Sequence, residues 1–314
     1  MDVDRPLVSV CIAAFNAGPY LRDAVSSVQR QRIADIEVII VNDGSTDDTL
    51  SVARSLEESD HRIVVIDQPN RGSCVARNAA FDRARGRYIC TLDADDIWAE
   101  GKLIEQLEIL KENPKSVVIG GVKRFSDVDG EWVWGDETMP FPVTARRSYL
   151  KHLLSMPDVE KVLLNTLCAP TEFIKSDNWD PVFRTGHDWE VWIRLASKYS
   201  FIHVAKVYQY YRKHPVSTTK RNRVRMVGDC QLMVIERHGP NICDSRIELN
   251  QVIARCAMHF AATSLYLGCR RDALHFIWRA LLAGGAPLAS RQFYGLLLRS
   301  LVSLMQKRRS QQLG

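Results

Sequence analysis

The chain has 314 residues, of which 46% are hydrophobic and 25% charged, the proportions of a soluble globular protein. They exclude a disordered tail protein, a disulfide scaffold and a wholesale nucleic-acid coat, and at about 150 residues per domain the length predicts about two units. The formal net charge of +5 divides unevenly: residues 1–225 carry 31 basic and 32 acidic side chains, whereas residues 226–314 carry 11 and 5.

Four short, β-branched runs open the chain: Val8 to Phe15, Glu37 to Val41, Arg62 to Ile66 and Arg87 to Leu92. Helical stretches separate them at Pro19 to Gln31, Thr46 to Glu58 and Arg71 to Arg85. This alternation predicts a parallel sheet with right-handed crossovers, covered on both faces. Gly120 to Met139 reads as a hairpin turning at Asp129-Gly130, with Trp132 and Trp134 alternating along it. Residues 144–175 mix a helix with an apolar strand. Thr185 to Asp188 then precede a helix over Trp189 to Ala196, whose Trp189 and Trp192 share it with Ile193 and Leu195 and so read as core. Beyond residue 225 the pattern is helical, broken at His238-Gly239-Pro240 and at Gly284 to Pro287, with long stretches at Ala254 to Ala283 and Ser290 to Met305. Two domains are expected, 1–225 and 226–314.

Eight cysteines show no CxxC spacing and sit in apolar runs. That predicts reduced thiols in a cytoplasmic setting, without metal or disulfide chemistry. Met1 to Pro6 does not read as a signal peptide. No run reaches the ~18 apolar residues a transmembrane helix needs.

The most informative pattern lies at the strand ends. Phe15-Asn16 comes directly after the first strand, Asn42-Asp43-Gly44-Ser45 after the second, Asp67-Gln68 after the third and Asp93-Ala94-Asp95-Asp96 after the fourth. In open α/β sheets ligands bind beyond these carboxyl ends, so carboxylates collect along the binding edge. Asp93, Asp95 and Asp96 repel one another unless a positive group sits among them. A divalent cation, Mn or Mg, suits their oxygens and leaves coordination sites for phosphates. The plainer reading is that they cap the next helix. Arg71 and Arg77, read as one helix, supply guanidinium groups for a diphosphate. Neither GxGxxG nor GxxxxGK[ST] occurs, which argues against a dinucleotide or Walker-type site.

These residues bring a resemblance into view. Val8 to Asn16, Val41 to Thr49, Asn70-Arg71-Gly72 with Ala76-Arg77-Asn78, and Leu92 to Asp96 together resemble family 2 glycosyltransferases. The likeness continues more loosely through Gly186-His187-Asp188-Trp189 and Tyr211 to Pro215. It implies a GT-A fold, a Rossmann-like mixed, mainly parallel sheet flanked by helices, here with a C-terminal helical segment. It also implies a nucleotide-sugar donor, UDP-linked by family habit, a divalent metal and inversion at the anomeric carbon. Carried over by position, Ala14, Phe15 and Asn16 border the base and ribose. Asp43 meets the base with Arg71 or Arg77 beside it, and Asp93 with Ala94 faces the ribose. Asp95 ligates the metal, helped by His214, and Asp188 takes the acceptor hydroxyl proton. His187 stands where the family often has Glu, and Ala13 where it usually has Pro.

The implied partners are a nucleotide-sugar and a saccharide or lipid-linked acceptor, with no nucleic acid. The basic C-terminal helices have two readings: a cap packed on the body or a second protomer, or a peripheral contact with an anionic inner-membrane face. The rival functions are a metal-dependent nucleotidyltransferase and a non-catalytic relative that only binds nucleotide-sugars.

Overall fold

A computed structural model describes residues 5–128, 131–140, 145–155, 165–183, 185–214 and 224–284. The chain divides into two compact units, Met1–Arg146 with Val159–Val216, and Arg147–Asp158 with Ser217–Gly314.

The first unit begins with β1 (Val8–Ala14), α1 (Gly18–Gln29), β2 (Ile36–Asp43), α2 (Thr49–Ser59), β3 (Ile63–Gln68), α3 (Ser73–Arg83) and β4 (Tyr88–Asp93). The four strands pair in parallel in the order β3-β2-β1-β4. β2 is buried at every residue, which is why Val38 to Val41 form a continuous apolar run and not an alternation. Val8, Val10 and Ile12 of β1 share one core with Val38 and Ile40 of β2 and Leu21 and Val25 of α1.

The sheet then becomes mixed. Next come β5 (Ile97–Trp98), α4 (Lys102–Glu112), β6 (Ser116–Val128), β7 (Glu131–Thr138), then α5 (Arg146–Ser155), which from Arg147 on belongs to the second unit, and β8 (Cys168–Pro170), α6 (Thr171–Ser176), α7 (His187–Lys198) and β9 (Ser200–Lys213). β8 runs antiparallel to both β4 and β6, and β9 runs parallel to β6. The direction therefore reverses twice, so β6 and β9 point the same way as β4. β6 and β7 form the expected hairpin; its Asp129-Gly130 turn lies outside the described residues. Trp189 and Trp192 are buried in the core as expected.

The second unit contains α8 (Val224–Ile242), α9 (Arg246–Tyr266) and α10 (Arg270–Leu282). Its breaks differ from those expected. α8 continues through His238-Gly239-Pro240 and ends two residues after Pro240, because a proline near the last turn forfeits one backbone bond without blocking the helix before it. The next helix starts where Ser245 accepts from the Glu248 N–H at 3.1 Å and the Glu248 carboxylate accepts from the Asp244 N–H at 2.6 Å, a reciprocal cap. The single stretch expected over Ala254 to Ala283 is two helices, split at Gly268, whose φ of +73° stops α9. Ser290 to Met305 lies outside the described residues. No helix among the described residues is long and apolar enough to cross a membrane.

Candidate active site

The carboxyl ends of the parallel strands are tied together first. Asn16, held at φ +51°, donates its N–H to Ser45 Oγ at 3.0 Å and accepts from the Thr46 N–H at 2.8 Å. Thr49 Oγ1 accepts from the Ala17 N–H and Asp47 Oδ2 from the Gly18 N–H. Burial pushes the Asp47 carboxyl up, but the Thr49 hydroxyl and the N–H groups of Thr49 and Gly18 outweigh it and hold it low. Only glycine fits at 44: φ is +67°, and a Cβ would lie 2.5 Å from the Asn70 nitrogen. The Asn42-to-Thr49 run thus spends its polar groups on loop shape, leaving Ala14 buried and Phe15 half-exposed at the strand end.

Asp43 is buried and works on the neighbouring loop. Its Oδ1 accepts from Gln68 Nε2 at 2.7 Å and from the Arg71 N–H at 3.0 Å, and its Oδ2 accepts from the Gly72 N–H at 2.9 Å. Arg71 precedes α3 and is exposed, so the two arginines do not share a helix. The aim of Asp43 at this loop, with Gly72 at φ +90°, starts the helix two residues later than expected.

Arg77, buried on α3, is the hub of the second half. Its Nη2 donates to Asp93 Oδ1 at 2.7 Å, its Nη1 donates to His187 Nε2 at 2.8 Å, and Nη1 lies 3.7 Å from Asp188 Oδ1. An arginine can only donate, so His187 Nε2 is the acceptor in this contact. Burial holds His187 below its ordinary value, with Asp188 pulling against it and Arg77 pressing the same way. Asn165 donates to the other oxygen of Asp93, and Trp179 Nε1 donates to Asp188 Oδ1 at 3.0 Å. Burial alone would raise Asp188; His187, Arg77 and the Trp179 N–H outweigh it and keep the carboxylate ionised. Burial also raises Asp93, and Arg77 offsets only part of the combined effect of burial, Asp95 and Asp188. Asp188 Oδ2 accepts no hydrogen bond among the described residues.

Asp95 and Asp96 point to a different set of partners. Asp95 Oδ2 meets His214 Nε2 at 2.9 Å. Asp96 is buried and accepts from Gln209 Nε2 at 2.6 Å and from the Arg212 N–H at 2.9 Å. Burial raises Asp96 well above its ordinary value, with Asp95 and Asp93 adding to it. β5 follows directly and α4 begins after Gly101, so these aspartates do not cap a helix. One ligand oxygen from each of Asp93, Asp95 and Asp96 lies within 4.8 Å of the others, an all-oxygen set that suits Mg or Mn.

The expected residues therefore form two linked groups, Asp93-Arg77-Asp188 and Asp95-His214, joined through Ala94. Sequence reasoning missed Asn165, Gln209 and Arg212, whose contacts are made across 72 to 117 residues of chain, and Trp179, which meets Asp188 across 9. Arg212 does stand inside the quoted Tyr211-to-Pro215 run; the other three carried no local signal.

The model of Glycosyl transferase family 2 matches residues 9–165. TuaG of Bacillus subtilis (strain 168), a glycosyltransferase ascribed to teichuronic acid biosynthesis, is 34% identical over 199 residues, covering 62% of this chain and 73% of TuaG. Three other curated glycosyltransferases are matched over 52, 18 and 44% of their own lengths. Among solved structures, S. aureus TarS 1–349 superposes with a TM-score of 0.63 at 16% identity, covering 94% of this chain and 88% of that one. The mannosyltransferase PcManGT of Pyrobaculum calidifontis, in complex with GDP-Man and Mn2+, gives 0.52 at 17% identity, covering 97% and 89%. At those identities the two structures establish the shared fold alone. A family model spanning half of the chain, with TuaG matched over most of its length, places this chain in glycosyl transferase family 2.

Proposed function

We propose that this glycosyltransferase moves a sugar from a nucleotide-sugar, UDP-linked in the first instance, to a hydroxyl of a saccharide or lipid-linked acceptor, with inversion. The observation that carries the reading is Arg77: one buried guanidinium spans Asp93 on the donor edge and Asp188 at the start of α7. The similar TarS has been solved with UDP-GlcNAc, which supports a donor of that kind.

In this reading Ala14, Phe15 and Asn16 border the base and ribose. Asp43 orders the Arg71-Gly72 loop and keeps one Oδ2 lone pair for the base. Arg71 offers its charge to the diphosphate, while Asp93 and Ala94 face the ribose. Asp95 with His214, and Asp93 and Asp96 within reach, would hold Mn or Mg, which when bound neutralises charge on the leaving diphosphate.

The acceptor oxygen attacks the anomeric carbon as the bond to the diphosphate oxygen breaks, and that bond's electron pair departs with the nucleotide. The acceptor proton passes to Asp188 Oδ2, which lies 3.5 Å from His187 Nε2 and accepts no hydrogen bond among the described residues. A single displacement of this kind inverts configuration and requires no second nucleophile. The decisive experiment incubates the full chain and Mn2+ with UDP-, GDP- and dTDP-sugars and measures nucleotide release. Stimulation by one nucleotide-sugar class is expected; release of pyrophosphate from a nucleoside triphosphate and a sugar phosphate would favour a nucleotidyltransferase instead.

A further inference from the structure

The hairpin holds a feature that the donor chemistry does not use. Trp132 and Trp134 of β7 are 41% and 45% exposed, although both are fixed by packing. Trp132 lies 4.8 Å and Trp134 5.8 Å, centroid to centroid, from the buried ring of Phe125 on β6. The two indoles stand 5.7 Å apart and nearly perpendicular, and Trp134 meets Tyr210 of β9 edge-on at 5.0 Å. Large aromatic surface is ordinarily withdrawn from water. Here it is ordered and presented.

The sheet places this surface beside the site. β6 and β9 run in the direction of β4, so the far end of the hairpin projects from the same edge as Asp93. A continuous row of contacts leads back to the carboxylates. The Arg212 guanidinium lies over Phe125 at 4.8 Å and over Tyr20 at 5.1 Å, Tyr20 packs on His214 at 4.7 Å, and His214 meets Asp95.

We propose that the β6–β7 hairpin is a subsite for the acceptor saccharide, with Trp132 and Trp134 as the platform on which its pyranose rings lie. This rests on the glycosyl-transfer reading and names where that reaction's acceptor is held. The chemistry of the rim selects a sugar over a protein partner. Asp127 pairs with Trp132 across the strands, and Lys123 lies over Trp134 at 5.3 Å while paired to Glu137 at 2.9 Å. Protein interfaces are depleted of charge at their core. A pyranose offers a C–H face to the indoles and a ring of hydroxyls to carboxylates and an ammonium, the mixed apolar and polar set of a small-molecule site.

The test titrates the full chain, without nucleotide, with chitotetraose, cellotetraose, maltotetraose and a hyaluronan tetrasaccharide. The native protein should bind at least one of them. Trp132→Ala with Trp134→Ala should weaken that binding by about tenfold or more, while Trp132→Phe with Trp134→Phe stays within about threefold because a stacking face is kept. UDP binding should be unchanged in both variants, which also shows that they fold. Equal tetrasaccharide affinity in the double alanine variant, or no binding of any tetrasaccharide by the native chain, overturns the proposal. Failure of the glycosyl-transfer reading is seen separately, as absent UDP-sugar binding with tetrasaccharide binding intact.

Discussion

The two ends of the parallel strands treat carboxylates in opposite ways. At the amino end Glu37 is buried, and both of its oxygens are met by the protein's own donors: Ser9 Oγ and the Arg85 N–H at 2.6 Å each, and the Arg85 side chain at 3.3 Å. At the carboxyl end Asp93, Asp95 and Asp96, with Asp188 at the start of α7, crowd together around Arg77, His187 and His214. A satisfied buried carboxylate is a structural part; a crowded group with too few cations is a place prepared for an outside one. By donor count alone Asp43, Asp93 and Asp96 would all stand with Glu37, since each has both oxygens met; what sets Asp93 and Asp96 apart is the carboxylates gathered within 4.8 Å of them. Position along the strand therefore predicts function less well than the crowding of carboxylates around each group.

The sharpest way to break this contrast is at Asp188. Asp188→Asn keeps the shape and an acceptor for the Trp179 N–H but removes proton uptake. Turnover, measured as acceptor-dependent nucleotide release, should fall by about 10² to 10⁴-fold, with the thermal shift given by the donor retained. Near-native turnover would remove Asp188 from its role.

Arg77 comes next, because it joins Asp93 to Asp188. Arg77→Ala leaves Asp93 and Asp188 without their shared cation, and breaking a buried pair from one side costs about 3–5 kcal/mol. The denaturant midpoint should drop accordingly. Arg77→Lys should recover less than half of it, since an ammonium cannot reach Asp93 and His187 along two separate N–H directions. Full recovery by lysine would mean that charge alone matters there.

The same contrast explains what the amino-acid sequence revealed. The four parallel strands and their helices were legible because each carries its own periodicity, and the aspartates after β2 and β4 stood out because strand ends are local features. The two-residue β5 has no periodicity to read, so a cap for the helix beyond stood as the plainer alternative to a metal site at Asp93 to Asp96. The hub was invisible for a different reason. Arg77 meets Asp93 across 16 residues and His187 across 110, and nothing in α3 distinguishes an arginine bound for Asp93 from one bound for Asp43. The helix over 254–283 read as continuous because a single glycine, Gly268, with no proline beside it, carries the break.

The smallest effect is expected at the satisfied end, and it carries a pH signature. Burial would raise Glu37, but Ser9 and Arg85 outweigh it and lower its pKa from 4.5. Between that lowered value and 4.5 the unfolded chain binds more protons than the folded one, so stability rises with pH across the interval. The contribution is complete above about 4.5 and is lost as pH falls through the folded value. Glu37→Gln retains an oxygen for Ser9 and the Arg85 N–H but turns an amide toward the guanidinium, at a cost of about 1 kcal/mol at pH 7. Urea midpoints for the two proteins should therefore differ at pH 7 and converge toward pH 3. A constant difference across that range would mean that Glu37 holds the strand ends by packing and not by charge, and the distinction between the two ends would then rest on crowding alone.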